Sequence, residues 1–213
     1  MGSDDADADA AAAELALRLQ AKAVRRKRAR ALRNTIPRSA LAERSAAIVA
    51  RLLSLAEVNA AGKVALFWPI LERNEVDLRA LDTELRARRK RIAYPSVDAE
   101  TREMRFRWVD HAEAMSERGL GFLDPGPDAP EVDVLDVIVV PALEVDTRGH
   151  RLGYGAGFYD RALPRYRPPA RAVAVAYEFQ LVSDVPDTEG DVPVDTIVTD
   201  HRVLVAEGPR ARG

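Results

Sequence analysis

The chain has 213 residues, 47% of them hydrophobic, enough for one sizeable core but tight for two independent ones. A formal net charge of −2 excludes whole-molecule attraction to nucleic acid or anionic membranes, and the absence of cysteine excludes a disulfide framework, thiol catalysis and thiolate metal sites. The longest apolar runs, such as Val137 to Val140, fall far short of the roughly 18 residues a membrane span needs.

The opening from Ser3 to Ala13 is Asp/Ala-rich and unlike a secretory signal, which predicts a cytoplasmic protein whose residues 1–13 form a disordered acidic tail. A single domain over residues 14–205 and a short C-terminal tail over 206–213 are expected to follow. From Leu15 to about Arg33 strong helix formers run without Pro or Gly until Asn34-Thr35-Ile36-Pro37 breaks them. A second helix is predicted from about Ser39 to Leu55, with Leu41, Ile48, Leu52 and Leu55 as its buried stripe, and the pair predicts a helical hairpin. Val64 to Phe67 reads as a strand, Val76 to Arg88 as a helix, and Arg91 to Tyr94 as a strand ended by Pro95.

Met104, Phe106 and Trp108 alternate with Arg105 and Arg107, the pattern of an edge strand with one wet face. Val137 to Val140 is an unbroken β-branched run suited to a central strand covered on both faces. Phe158 to Leu163 starts a helix, Ala172 to Ala176 is a further strand, and Thr196 to Val198 with Val203 to Val205 are short closing strands. Alternating strands and helices predict a three-layer α/β/α fold, a largely parallel sheet with helices on both faces.

The richest segment is Gly149-His150-Arg151-Leu152-Gly153-Tyr154-Gly155-Ala156-Gly157-Phe158-Tyr159-Asp160-Arg161, between the central strand and a helix. Glycines at 153, 155 and 157 remove β-carbons, so main-chain N–H groups can approach phosphate oxygens, and the following helix N-terminus favours an anion. Arg151 adds positive charge at the entrance, and Asp160 adds a carboxylate suited to magnesium. The spacing is neither a Walker A loop nor a clean dinucleotide fingerprint, and glycines alone would equally serve a tight strand-to-helix turn.

The string Gly-x-Arg-Leu-Gly-x-Gly-x-Gly-aromatic-Tyr-Asp-Arg after a strand ending Val140-Pro141-Ala142 resembles the signature of the 5-formyltetrahydrofolate cyclo-ligase family. The resemblance runs from about Ala21 to Asp200. It implies a NagB/RpiA/CoA transferase-like α/β fold and ATP- and magnesium-dependent closure of 5-formyltetrahydrofolate, with or without a polyglutamate tail, to 5,10-methenyltetrahydrofolate by a monomer. By the same resemblance ATP is bound by Lys22, Arg26, Arg151, Leu152, Gly153, Tyr154, Gly155, Ala156, Gly157, Phe158 and Tyr159, with Arg151 and Tyr159 at the chemistry. Trp68, Glu75, Tyr154 and Phe158 are implied to hold the folate, and Asp160 and Asp195 the magnesium. Tyr154 stands where some members carry a basic residue, and Phe158 where tyrosine is commoner.

Weaker matches support it in order: Ser45, Leu120-Gly121-Phe122-Leu123-Asp124-Pro125 as a wall of the folate pocket, Tyr177 to Gln180, Pro186, Asp191-Val192-Pro193-Val194-Asp195 and Thr199-Asp200. The residues also admit another ATP- or sugar-phosphate-using α/β enzyme sharing only the loop. Seven basic and no acidic residues from Lys22 to Arg33 admit a nucleic-acid module, which the overall acidic balance disfavours. Scattered histidines give no zinc-ligand spacing.

Overall fold

The computed structural model describes residues 3–119 and 121–208. Residues 1 and 2 of the expected N-terminal tail, Leu120, and residues 209–213 of the expected C-terminal tail lie outside the described residues. Helix α1 (Ser3–Thr35) begins earlier than the Leu15 start read from the sequence. Alanine, which recurs through the stretch before Leu15, has the highest helix propensity.

Pro37 separates α1 from α2 (Arg38–Ser54), and a short α3 (Ala56–Ala60) follows. The central sheet is built from β1 (Lys63–Ala65), β2 (Arg91–Val97), β3 (Met104–Trp108), β4 (Val137–Pro141), β5 (Arg171–Val175), β6 (Thr196–Val198) and β7 (Val203–Val205). Helix α4 (Arg79–Ala87) joins β1 to β2, and α5 (Phe158–Tyr166) precedes β5. The spatial order is β7-β6-β5-β4-β1-β2-β3, parallel except for the two edge strands. A smaller sheet of Leu181–Val182, Glu144–Asp146 and Arg151–Leu152 carries the glycine-rich segment.

Strand alternation sorts the core into two layers. Val64, Val137, Val139, Val173 and Val198 face α2 and α4, whose Leu41, Ile48, Leu52, Leu81 and Leu85 complete one cluster. Ala65, Ala93, Ile138, Val140, Ala172 and Ala174 face α5, and the alanines let Leu163 and Tyr166 of that helix lie close to the sheet. Each fully buried Leu, Ile or Val contributes roughly 1.5–3 kcal/mol of transfer free energy, and the unbroken apolar run of β4 is explained by burial on both faces.

Three expectations need correction. Helices α1 and α2 do not form a hairpin among the described residues: α2 lies on the sheet, whereas α1 bonds Glu144 of the smaller sheet through Arg25 and the glycine-rich segment through Arg26. Helix α4 starts at Arg79 rather than Val76, because the Asp77 carboxylate accepts the Arg79 N–H at 3.1 Å and sets the first turn there. Strand β2 continues through Pro95, which pairs with Phe106 of β3; beyond Ala93 the β1 side is unpaired, and a proline is tolerated there.

Strands β1 and β4 lie side by side, and the chain leaves them in opposite directions, toward β2 and toward β5. Their carboxyl ends therefore open a crevice, the usual ligand position in such sheets. Among the described residues no helix is long and apolar enough to cross a membrane.

Candidate active site

Two cavities, of about 250 and 260 Å3, meet at that crevice and share Pro141, Tyr154, Ala156, Phe158 and Tyr159. The glycine-rich segment is the wall between them. Its position is set by a tight turn in which Gly149 donates to the Asp146 carbonyl at 3.0 Å while the buried Asp146 carboxylate accepts from Arg148, His150 and Val185. Gly149 has φ +88°, and a β-carbon there would stand 2.5 Å from the Val194 carbonyl oxygen, so only glycine fits.

The first cavity carries charged side chains. Lys22, Arg26, Arg151, Asp160, Thr188 and Asp191 line it with the main chain from Leu152 to Gly157. Arg26 donates through Nε to the Gly153 carbonyl at 3.0 Å, and its Nη groups have no hydrogen-bond partner among the described residues. Burial lowers its pKa, Asp191 and Asp160 oppose that, and the guanidinium stays charged. Buried Lys22 donates to the Thr188 hydroxyl at 2.9 Å and pairs with Asp191.

Arg151 is not at the entrance. Its side chain is 4% exposed, and it donates to the Val192 carbonyl at 2.5 Å and to Asp160 Oδ1 at 2.9 Å. It thus clamps Asp160 to the segment that carries Asp191, and the Val192 N–H reaches the same Oδ1 at 3.1 Å.

Asp195 is not brought to this cavity. It accepts from the Ala172 N–H at 2.7 Å and from Arg167 at 2.8 Å, and it lines a separate surface cleft beside Pro168 and Pro169. The carboxylate beside Asp160 is Asp191, four positions earlier. Among the described residues Asp160 Oδ2 and Asp191 Oδ1 have no hydrogen-bond partner, and no cluster of three potential metal-ligating side chains exists. Two carboxylates with phosphate and water oxygens suit magnesium, which seldom takes an all-protein cage, so the donor set fits that ion.

The second cavity is apolar, walled by Phe67, Trp68, Met104, Phe122 and Leu123 around Glu75. Glu75 is 7% exposed, and its Oε2 accepts the Ile70 N–H at 2.9 Å, which explains how a carboxylate is held inside apolar walls. Tyr154 stands between it and Arg33, whose Nη2 donates to the Tyr154 hydroxyl at 2.5 Å. Burial and then Glu75 push both Tyr154 and Tyr159 far above the usual phenol range, so both remain neutral hydroxyls. Tyr159 lines both cavities, and its hydroxyl has no hydrogen-bond partner among the described residues.

Of the other residues singled out from sequence, Phe122 and Leu123 do line the apolar cavity, but the buried Asp124 carboxylate serves Ser96, Val97 and Gly126 instead. Ser45 shares a hydrogen bond of 3.0 Å with the Tyr177 hydroxyl and accepts the Asp77 N–H, tying α2 to the segments that follow β5 and precede α4, away from both cavities. The basic stretch of α1 is largely consumed within the domain: Lys22 and Arg33 are buried and Arg25 bonds Glu144, while Lys27, Arg28 and Arg30 face outward. Sequence reasoning missed Asp191 and Arg33. The second had a readable signal, since Lys22, Arg26, Ala29 and Arg33 recur at helical spacing on one face.

A family model described as the 5-formyltetrahydrofolate cyclo-ligase family matches residues 18–200. The chain is 40% identical over 89 residues to the 5-formyltetrahydrofolate cyclo-ligase of Mycolicibacterium smegmatis, covering 40% of this chain and 46% of that protein. To the mitochondrial one of Arabidopsis thaliana it is 30% identical over 156 residues, 62% of this chain and 56% of the relative, so these matches span about half the length of those curated relatives. To the Haemophilus influenzae protein of the same name it is 28% identical over 152 residues, 68% of this chain and 80% of the relative. Among solved structures, that of the Aquifex aeolicus 5,10-methenyltetrahydrofolate synthetase superposes with a TM-score of 0.76 at 31% identity over 90% of this chain and 96% of its own. The match begins in α1 just before Lys22 and ends just after the last strand that joins the parallel sheet, so it takes in both cavities, and the chain belongs to the 5-formyltetrahydrofolate cyclo-ligase family.

Proposed function

We propose that the protein uses ATP to close 5-formyltetrahydrofolate to 5,10-methenyltetrahydrofolate, releasing ADP and phosphate. The observation that carries this reading is the pair of contiguous cavities, one cationic and glycine-lined, the other apolar with a buried carboxylate, divided by a single loop. A phosphoryl group held in the first has only that loop to cross to reach a formyl oxygen held in the second.

The formyl oxygen is a poor leaving group. Transfer of the γ-phosphoryl group to it makes phosphate the group that departs when N10 attacks the formyl carbon, and no protein nucleophile is required. The work of the protein is alignment and charge neutralisation. Arg26 and the loop N–H groups bind phosphate oxygens, Lys22 neutralises charge next to them, and Arg151 keeps Asp160 aimed at the site. Asp160 and Asp191 would hold magnesium, which when bound neutralises and orients the phosphates. Glu75 accepts N–H bonds from the pterin edge, Trp68 and Phe158 cover its faces, and the neutral Tyr159 hydroxyl donates toward the oxygen on which charge develops.

The test is to mix purified protein with 5-formyltetrahydrofolate, ATP and magnesium and follow the methenyl chromophore, omitting each component in turn. Chromophore that forms only in the complete mixture is the expected result. ATP hydrolysis indifferent to the folate would reject the reading.

A further inference from the structure

Helix α1 has a side that the domain leaves uncovered. From Asp9 to Leu17 every residue is exposed, and beyond Leu17 the helix turns one side inward through Lys22, Arg26, Ala29 and Arg33. The opposite side carries Ala10, Ala13, Leu17, Gln20, Val24 and Lys27, which alternate at spacings of three and four residues, the a and d positions of a heptad repeat. All of them are exposed, Leu17 at 66% and Val24 at 62%. A helix of 33 residues is about 50 Å long, and most helical stability in a protein comes from packing an apolar face, so this seam leaves surface that a partner helix would bury.

The charges beside the seam select the partner. They are acidic toward the N-terminus and basic toward the C-terminus, and among the described residues Asp9 has no cation partner while Arg28 and Arg30 have no carboxylate partner. A second copy laid antiparallel, with Leu17 opposite the partner's Gln20, sets Ala13 opposite the partner's Val24 and Ala10 opposite the stem of the partner's Lys27. The same register brings Asp9 to the partner's Arg30, and by position Asp7 falls opposite the partner's Arg28. A shift of one heptad would set Asp9 against the partner's Ala23 or Arg30 against the partner's Ala16, and a parallel pair would set Lys27 against the partner's Lys27.

We infer that two copies of the chain pair along α1 as an antiparallel coiled coil, in place of the monomer that the family resemblance implies. Lys22 and Arg26 lie on the other side of the helix, so each copy keeps both of its cavities open, and pairing is independent of the proposed reaction. Leu17 and Val24 are the large apolar groups of a seam otherwise made of alanine and polar side chains, which makes the pair reversible rather than obligate.

The experiment follows the mass of the full chain by sedimentation equilibrium over rising concentration, and the wild type should move from the mass of one chain toward that of two. Leu17→Glu combined with Val24→Glu should raise the dissociation constant by about a hundredfold or more, since carboxylates would replace the apolar centre. Arg30→Asp should raise it about tenfold, and adding Asp9→Arg to that variant should restore it, which separates loss of pairing from loss of fold. The chain has no cysteine, so Ala13→Cys and Val24→Cys report direction: oxidised as a mixture they should cross-link, and neither should do so alone. A single-chain mass at every concentration would overturn the inference, as would association that the paired glutamate substitutions leave unaltered, or a Val24→Cys chain that cross-links to itself as readily as to Ala13→Cys. A single-chain mass together with steeply salt-dependent binding of RNA would assign the basic flank to a polyanion and overturn it too.

Discussion

Three aspartates in the second half of the chain differ in what their oxygens already hold. Asp195 is spent on the Ala172 N–H and Arg167, whereas Asp160 and Asp191 each keep one oxygen without a partner beside the cationic cavity. Replacing Asp160 or Asp191 by Asn should each cut turnover by about a hundredfold, the scale of removing one electrostatic stabiliser. Asp195→Ala should instead destabilise the fold by about 1–3 kcal/mol, the cost of a lost charge-assisted bond, and leave the magnesium response of turnover as in the wild type. Magnesium titrations of the variants beside their urea midpoints check this, and an altered magnesium response in the Asp195 variant alone would return the metal to that residue. The motif string pointed to Asp160, but nothing local distinguishes Asp191 from Asp195, since both stand in the same Asp-Val-Pro-Val-Asp run.

The glycine-rich hairpin serves two purposes that two of its glycines separate. Gly149 is fixed by the fold: its N–H and carbonyl close the turn onto Asp146 and Val194, and a β-carbon would collide with the Val194 carbonyl. Gly149→Ala should therefore lower stability by about 3 kcal/mol, a strained φ added to a backbone clash, read as a shift of the denaturation midpoint. Gly153 lines the first cavity, has no positive φ, and meets nothing within 4 Å of an added β-carbon. Gly153→Ala should change stability by no more than about 0.5 kcal/mol while raising KM for ATP, because its methyl group occupies space kept for phosphate. Both glycines looked alike in the sequence, where only their common property, the missing β-carbon, could be read. Helix α1 makes the same point: its basic run was visible, but a polar stripe turned into the domain and a solvated face have the same composition.

At the scale of the whole molecule, all five tyrosines have their pKa raised, each chiefly by burial, with Asp82 adding to the effect at Tyr94 and Glu75 at Tyr154 and Tyr159. A folded pKa above the unfolded value of about 10 means that the unfolded chain loses phenol protons first. The stability held by these neutral phenols is thus fully present below that pH and is lost as pH rises beyond it. In an alkaline titration, phenolate absorbance should appear together with loss of helical signal rather than ahead of it; tyrosines that ionise while the helices persist would contradict their burial. The sequence by itself determined the elements and their class, because burial on one face or two writes a period into neighbouring residues: the unbroken valines of β4, the alternation of β3 and the stripe of α2 needed no partner to be read. Glycines, Arg151 and Asp160 within one short string also marked the loop as the candidate phosphate site. Only the tertiary structure decided which groups share a cavity. It turned Arg151 from an entrance cation into a clamp, placed Asp191 rather than Asp195 beside Asp160, and brought Arg33 to Tyr154 across 121 positions. Such contacts depend on where β1 and β4 part and how the hairpin docks on Val194, and a distance between segments leaves no periodic mark on either of them.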